Sequence, residues 1–366
     1  MPVPFQRPRA LVLLLALTAA ALLLAATSAM ASSGGALYTQ TNDPAGNSVQ
    51  RFDRGADGSL APAGTYATGG VGLAGLGGRQ GAVELSDDGR HVFAINAGSD
   101  SVSVLREKPH RLRLLGSVPS GGAAPVSVDE QDGRVYVLNS GGTPNVTAFA
   151  RRGNGGLVEI GRRDLAPGAS GTAQVSVTPD GRSLVVSERT ANRLETLPLD
   201  RSGRPGAPVV TASSGAVPFG FGISREGTLV VSEAGASTVS SYRLGAGGAL
   251  DAISASLPVG QGGACWVAVS PSGRLAYTGN VSGSISGYAV GRDGALTALD
   301  TDGRTAVLPT ARDLDFEPRG RFLLAIAAGN ATTGGQVASY RVAADGSLTL
   351  VDTAPAAAGI TGAAAS

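Results

Sequence analysis

One phrase, repeated along the chain, limits what this sequence can fold into more than any other feature. It reads apolar–x–apolar–Ser–x–x–Gly–Arg, or a close variant, and a β-rich run follows it. The copies are AVELSDDGRHVFAIN at 82–96, VSVDEQDGRVYVLN at 126–139, VSVTPDGRSLVVSE at 175–188, FGISREGTLVVSE at 221–233, VAVSPSGRLAYTGN at 267–280 and LDFEPRGRFLLAIA at 314–327. Their turn glycines, Gly89, Gly133, Gly181, Gly227, Gly273 and Gly320, lie 44 to 48 residues apart, the length of a four-stranded propeller blade. Within each copy the first strand alternates, as at Val175 and Val177, and faces a core on one side only. A tight turn follows, in which glycine takes the positive φ. The second strand is continuously apolar, as at Leu184-Val185-Val186, and suits a sheet covered on both faces. The third ends on a large side chain: Phe52, Phe149, Leu197, Tyr242, Tyr288 or Tyr340. A second turn of the Asp-Gly-Ser-Leu type opens the outermost strand.

The ends complete the count. Residues 35–70 contain the second, third and fourth strands of a blade and lack the first. The last eight residues, Gly359 to Ser366, align on the first-strand phrase, with Ser366 where Ser86 and Ser270 stand. The expected fold is all-β: a seven-bladed propeller of four-stranded blades over residues 32–366, one domain, its ring closed by the C-terminal strand pairing with the N-terminal blade. The tail is mostly alanine, so ladder hydrogen bonds of roughly 1 kcal/mol each must carry that closure.

Residues 1–31 read as an export signal. Arg7 and Arg9 precede an uncharged Leu/Ala run from Ala10 to Ala26, and Ala29-Met30-Ala31 supplies small residues for cleavage; a retained anchor is the other reading of this run. Cleavage removes two arginines and shifts the formal net charge from +1 to −1. The expectation is a monomer, secreted or in the periplasm or cell envelope, with no membrane contact after cleavage. A charge this close to zero excludes nucleic acid as the expected partner. With one cysteine and two histidines, neither a disulfide framework nor a metal centre is expected, and no motif calls for a cofactor.

Seven blades with SPDGR-like turns, the Pro-Phe-Gly-Phe-Gly phrase at 218–222 and an export signal resemble the lactonase-type β-propeller family. That family includes the bacterial propeller-type 6-phosphogluconolactonases and the 3-carboxymuconate cyclases. The resemblance covers residues 35–366 and implies a lactone hydrolase, or a cyclase-like enzyme, acting on a lactone or other small molecule at the channel mouth. The family's Arg-His pairs have one partial counterpart here, Arg312, whose neighbour is Asp313; the phrase GASGTAQVSVTPDG at 168–181 has no histidine. These departures argue against phosphogluconolactone itself as substrate.

The residues offer further candidates. Glu188 and Glu233 end second strands where Asn96, Asn139 and Asn280 stand in other blades. Capping of the local turn is one reading. The other places Glu188, Glu233, Arg189 and Arg312 in a polar ring, where a carboxylate activates water and arginine stabilises an oxyanion. Phe219 and Trp266 are candidates for the floor of an apolar pocket, with Asp313 among the ligand contacts. Cys265 reads as a buried thiol, Glu84 and Asp315 as blade cross-links or channel lining, and His91 and His110 as solvated structural residues. A non-catalytic propeller that binds a ligand or protein at its mouth remains the alternative function.

Overall fold

A computed structural model describes residues 1, 33–73 and 80–366. The export-signal reading therefore lies outside the described residues. Seven antiparallel sheets form the molecule. Blades 2 to 5 and 7 each use four strands that are consecutive in the chain, and blade 6 adds a short fifth piece, Ala306–Val307. The innermost strands meet one another in ring order around a central channel. Every turn glycine named above has a positive φ, between 65° and 85°. The third-strand residues singled out in the sequence are all buried, from Leu197 at 0% exposure to Phe149 at 3%. No helix among the described residues is long and apolar enough to cross a membrane.

Blade 1 closes the ring. Its own strands, Ser33–Gln40, Ser48–Gly55 and Leu60–Ala67, are joined at the inner edge by Thr361–Ala365. The register sets Leu37 opposite Ala365 and Tyr38 opposite Ala364. Ser366 does the work of the first-turn serines: its N–H donates to the Ala36 carbonyl at 2.9 Å, and its Oγ accepts the Ala36 N–H at 2.8 Å. Ser86 makes the same reciprocal pair with His91, and Ser270 with Leu275. Ile360, Ala364 and Ala365 enter the core shared with blades 1, 2 and 7.

A buried arginine adds to this closure. Arg54, 1% exposed, faces Glu317 of blade 7 at 3.6 Å and donates to the carbonyls of Gly34 and Ser366. Its guanidinium also lies over the Phe322 ring, which Arg341 and Arg321 approach as well. One side chain thus holds blade 1, blade 7 and the chain terminus together. Removing one partner of a buried pair leaves the other charge uncompensated, at about 3–5 kcal/mol. Arg54→Leu should destabilise on that scale in denaturant titration, and adding Glu317→Leu should recover much of the loss. Deleting residues 359–366 should lower the melting temperature more than Arg54→Leu does; an unchanged melting curve would refute the closure.

Candidate functional site

The innermost strands diverge from one another around the channel, so their edge N–H groups cannot all form backbone ladders. Side chains take over that role. Val175 N–H donates to Ser127 Oγ and Val177 N–H to Asp129 Oδ2, both from blade 3. Phe221 N–H donates to Gln174 Oε1 of blade 4 at 2.7 Å. Ala363 N–H and Ala365 N–H donate to Asp313 and Asp315 of blade 7. Blade 5 has no such side chain, because Gly220 and Gly222 stand at the corresponding positions. Gln80, which precedes blade 2, instead reaches across the channel to Val267 of blade 6, accepting its N–H at 3.0 Å. A Cβ on Gly220 would meet Gln80 Oε1 at 2.1 Å; this glycine makes the crossing possible.

The same arrangement concentrates carboxylates. A cavity of about 180 Å³ in the channel is lined by Glu84, Asp129, Asp313 and Asp315, together with Gln80 and Gln174. The two readings held for Glu84 and Asp315 resolve towards channel lining, with Asp315 also linking blade 7 to the closing strand. Burial raises all four acids. Asp129 is pushed to about 6 and Asp315 to about 7. Asp313 and Glu84 are well above the usual carboxylate range, Glu84 also through repulsion from Asp129 and Asp315.

Above this chamber the inner strands begin with a register shift. It falls between Pro125 and Ser127, Thr172 and Gln174, Pro218 and Phe221, Ala264 and Trp266, and Ala311 and Leu314. Such bulges re-aim side chains at a strand end. They place Ala173, Phe219, Cys265 and Arg312 outside the simple inward–outward alternation. Arg312 lies over the Trp266 ring at 5.3 Å, and Arg189 over Phe219 at 5.3 Å. Phe219 and Trp266 meet edge to face at 5.6 Å. The result is a row: guanidinium, phenyl, indole, guanidinium. Neither Arg189 nor Arg312 has a carboxylate partner among the described residues. Both are half-buried. Burial pushes the Cys265 thiol up to about 11 against the pull of both arginines, so it stays a neutral thiol, in line with its reading from sequence.

The candidates named from sequence separate into three groups. Arg189, Arg312, Phe219 and Trp266 come together at the mouth. Trp266 is 1% exposed and cannot floor an open pocket; it supports Arg312 from beneath, and its indole N–H has no partner among the described residues. Asp313 joins the channel chamber rather than the surface of the mouth. Glu188 and Glu233 belong to neither group. Glu188 is fully buried and accepts from Ser170 N–H and Arg193 Nε. Glu233, also fully buried, accepts from Gly215 N–H, Ser240 Oγ and Thr238 Oγ1. Asn96, Asn139 and Asn280 bond the neighbouring turns and strands in the same way, so this position ties strand ends together and the polar ring does not form.

The histidines lie elsewhere. His91 is buried, not solvated: it contacts Arg151 and Asp88, and burial lowers its pKa. His110 is exposed beside Asp53. Sequence reasoning did not find Gln80 or Asp129. Gln80 lies outside the repeat, and Asp129 stands within the turn phrase of its copy, where an acid is ordinary. No group of histidine, cysteine and acidic side chains suited to a metal ion occurs among the described residues.

Comparison with known proteins places these features. The sequence model of the family described as "Lactonase, 7-bladed beta-propeller" matches residues 43–168 and 161–268, more than half of the chain. No curated protein sequence is a match. Among solved structures, a protein of Bacteroides fragilis assigned as a 6-phosphogluconolactonase is similar at 18% identity and a TM-score of 0.74, over 92% of this chain and 99% of its own. One from Bacteroides uniformis with the same assignment is similar at 19% identity and a TM-score of 0.74, over 91% and 99%. The periplasmic gluconolactonase of Pseudomonas aeruginosa is similar at 19% identity and a TM-score of 0.69, over 90% and 98%.

The raised channel acids set a pH dependence. The native state holds protons that the unfolded chain releases near pH 4, so this contribution is present below pH 4 and is lost as pH rises through about 6 to 7. Glu84→Gln removes one of the crowded charges. It should raise the melting temperature at pH 8 by a few degrees and leave it nearly unchanged at pH 4; an equal shift at both pH values would rule out charge crowding.

Proposed function

The chain belongs to the seven-bladed β-propeller lactonase family, and from that premise we propose that it is an exported lactone hydrolase working at the channel mouth. The observation that carries this reading is the pair of half-buried guanidiniums, Arg189 and Arg312, each fixed on an aromatic ring and free of any acid partner among the described residues. Two such groups suit the carbonyl oxygen or a carboxylate of a lactone, and the charge that develops on the carbonyl during attack. The water-activating carboxylate is assigned to the channel acids. Asp313 is the acid next to Arg312 along the strand, and in its ionised form it is given the role of general base. Water loses its proton to this carboxylate and attacks the lactone carbonyl. The ring C–O bond then breaks, and the proton passes to the departing alkoxide, giving a hydroxy acid. The substrate is a small lactone taken without nucleic acid or cofactor, and the protein acts as a monomer outside the cytoplasm. The periplasmic location of the Pseudomonas neighbour supports that compartment.

A second reading, a propeller that binds a small anion or a protein at its mouth without turnover, draws on one observation. No histidine stands near the row of arginines and aromatics, since His91 and His110 are held by Asp88, Arg151 and Asp53. A panel of lactones followed with a pH indicator separates the two readings. Hydrolysis of at least one member is expected, with kcat/KM falling about 10²–10³-fold in Arg312→Ala. Asp313→Asn should lower kcat with little change in KM. No ring opening on any lactone, together with Arg312-dependent binding of a hydroxy acid, would establish the binder.

A further inference from the structure

The outer rim of blades 3 and 4 carries a concentration of arginine that the mouth does not use. The turn Asp200–Pro205 joins the third and fourth strands of blade 4 and stands against blade 3, where Gly203 packs beside Arg134 and Tyr136. On one side of this turn lies a cleft of about 470 Å³, lined by Arg162, Arg163, Arg204 and Asp200 among others. On the other side lies a cleft of about 190 Å³, lined by Arg134, Arg201, Asp132 and again Asp200. Five arginines and two aspartates thus line the two clefts, in a chain whose net charge is only +1.

These arginines are partly organised in advance. Arg162 donates to the Gly121 carbonyl at 2.7 Å, Arg163 to Pro205 at 3.4 Å, Arg204 to Ile160 at 2.6 Å and Arg134 to Ser202 at 2.9 Å. Each such bond engages one N–H and leaves the rest of the fork for a ligand. None of the five forms an ion pair among the described residues. Asp200 Oδ1 accepts Ser202 N–H, Ser202 Oγ–H and Arg204 N–H within its own turn, and its charge, which the Arg204 guanidinium helps to stabilise, offsets only part of the five positive charges. Glu159 and Asp164 lie on the same outer strand as Arg162 and Arg163 and line neither cleft.

We infer that this rim is a binding site for a linear, phosphate-rich polyanion, laid across the Asp200–Pro205 turn so that successive phosphates enter both clefts. Arginine forks match phosphate oxygens in bidentate geometry, and two clefts separated by one turn suit an extended chain with repeated charges better than a single compact anion. The site is separate from the mouth, so it would anchor the propeller on a phosphate-bearing polymer and leave the channel open.

The test uses short-chain polyphosphate as the probe, titrated calorimetrically into the full chain over a series of salt concentrations. Wild type should bind with a log–log salt slope of about 3.5, roughly 0.7 per engaged guanidinium. The Arg162→Gln/Arg163→Gln/Arg204→Gln variant should bind more than tenfold more weakly, with the slope reduced towards about 1.4. The corresponding triple Lys variant should retain the slope while losing part of the affinity. Melting curves of both variants should match wild type, which separates loss of the site from loss of the fold. Binding unaffected by the Gln substitutions, no binding at low salt, or more than tenfold tighter binding of dextran sulfate would each overturn the assignment.

Discussion

The unpaired inner edge of each blade is the constraint on which the rest of this structure depends. Seven sheets arranged radially diverge at the axis, and backbone groups left unbonded there cost about 1–3 kcal/mol each. The chain satisfies six of these N–H groups with side chains: Ser127, Asp129, Gln174, Gln80, Asp313 and Asp315. Three of the six are carboxylates, because a carboxylate oxygen accepts a backbone N–H well. The acidic chamber is in this sense a consequence of closing the ring. Burial there raises the pKa values of the acids involved, and repulsion between neighbouring carboxylates adds to it at Glu84 and Asp313.

A second consequence arises where the inner strands begin. Bulges recur at the start of the inner strand in six blades, and each frees one residue from the alternation that governs the rest of the strand. In blade 7 that residue is Arg312, and in blade 5 it is Phe219. Trp266 remains in the inward series and lies beneath Arg312, so a cation that would otherwise be solvated rests on an aromatic face. The mouth is thereby positive and aromatic while the chamber below it is acidic.

Closure at the seam of blades 7 and 1 draws on several weak contributions. Ladder bonds, the Ser366 pair and small buried alanines would leave the terminal strand modestly held. The Arg54–Glu317 pair and the Phe322 ring add contacts that only the closed ring can make. Buried ion pairs give little net stability when compared with apolar replacements. What this one contributes is specificity, since its partners come from both ends of the chain.

The sequence by itself determined the blade count, the turn glycines, the large third-strand residues and the use of the tail as an inner strand. Each of these rests on a pattern within one repeat or on its spacing, and such patterns are local. It also singled out Arg189, Arg312, Phe219 and Trp266, but could not show that they form one row. Only the tertiary structure decided that Glu188 and Glu233 are enclosed, that Trp266 lies under Arg312, that His91 is buried, and that Gln80 crosses the channel to fill a place left by two glycines. A bulge of one residue reverses which face a side chain takes. A partner on the far side of a ring lies more than a hundred positions away in the chain, so no short-range pattern records it.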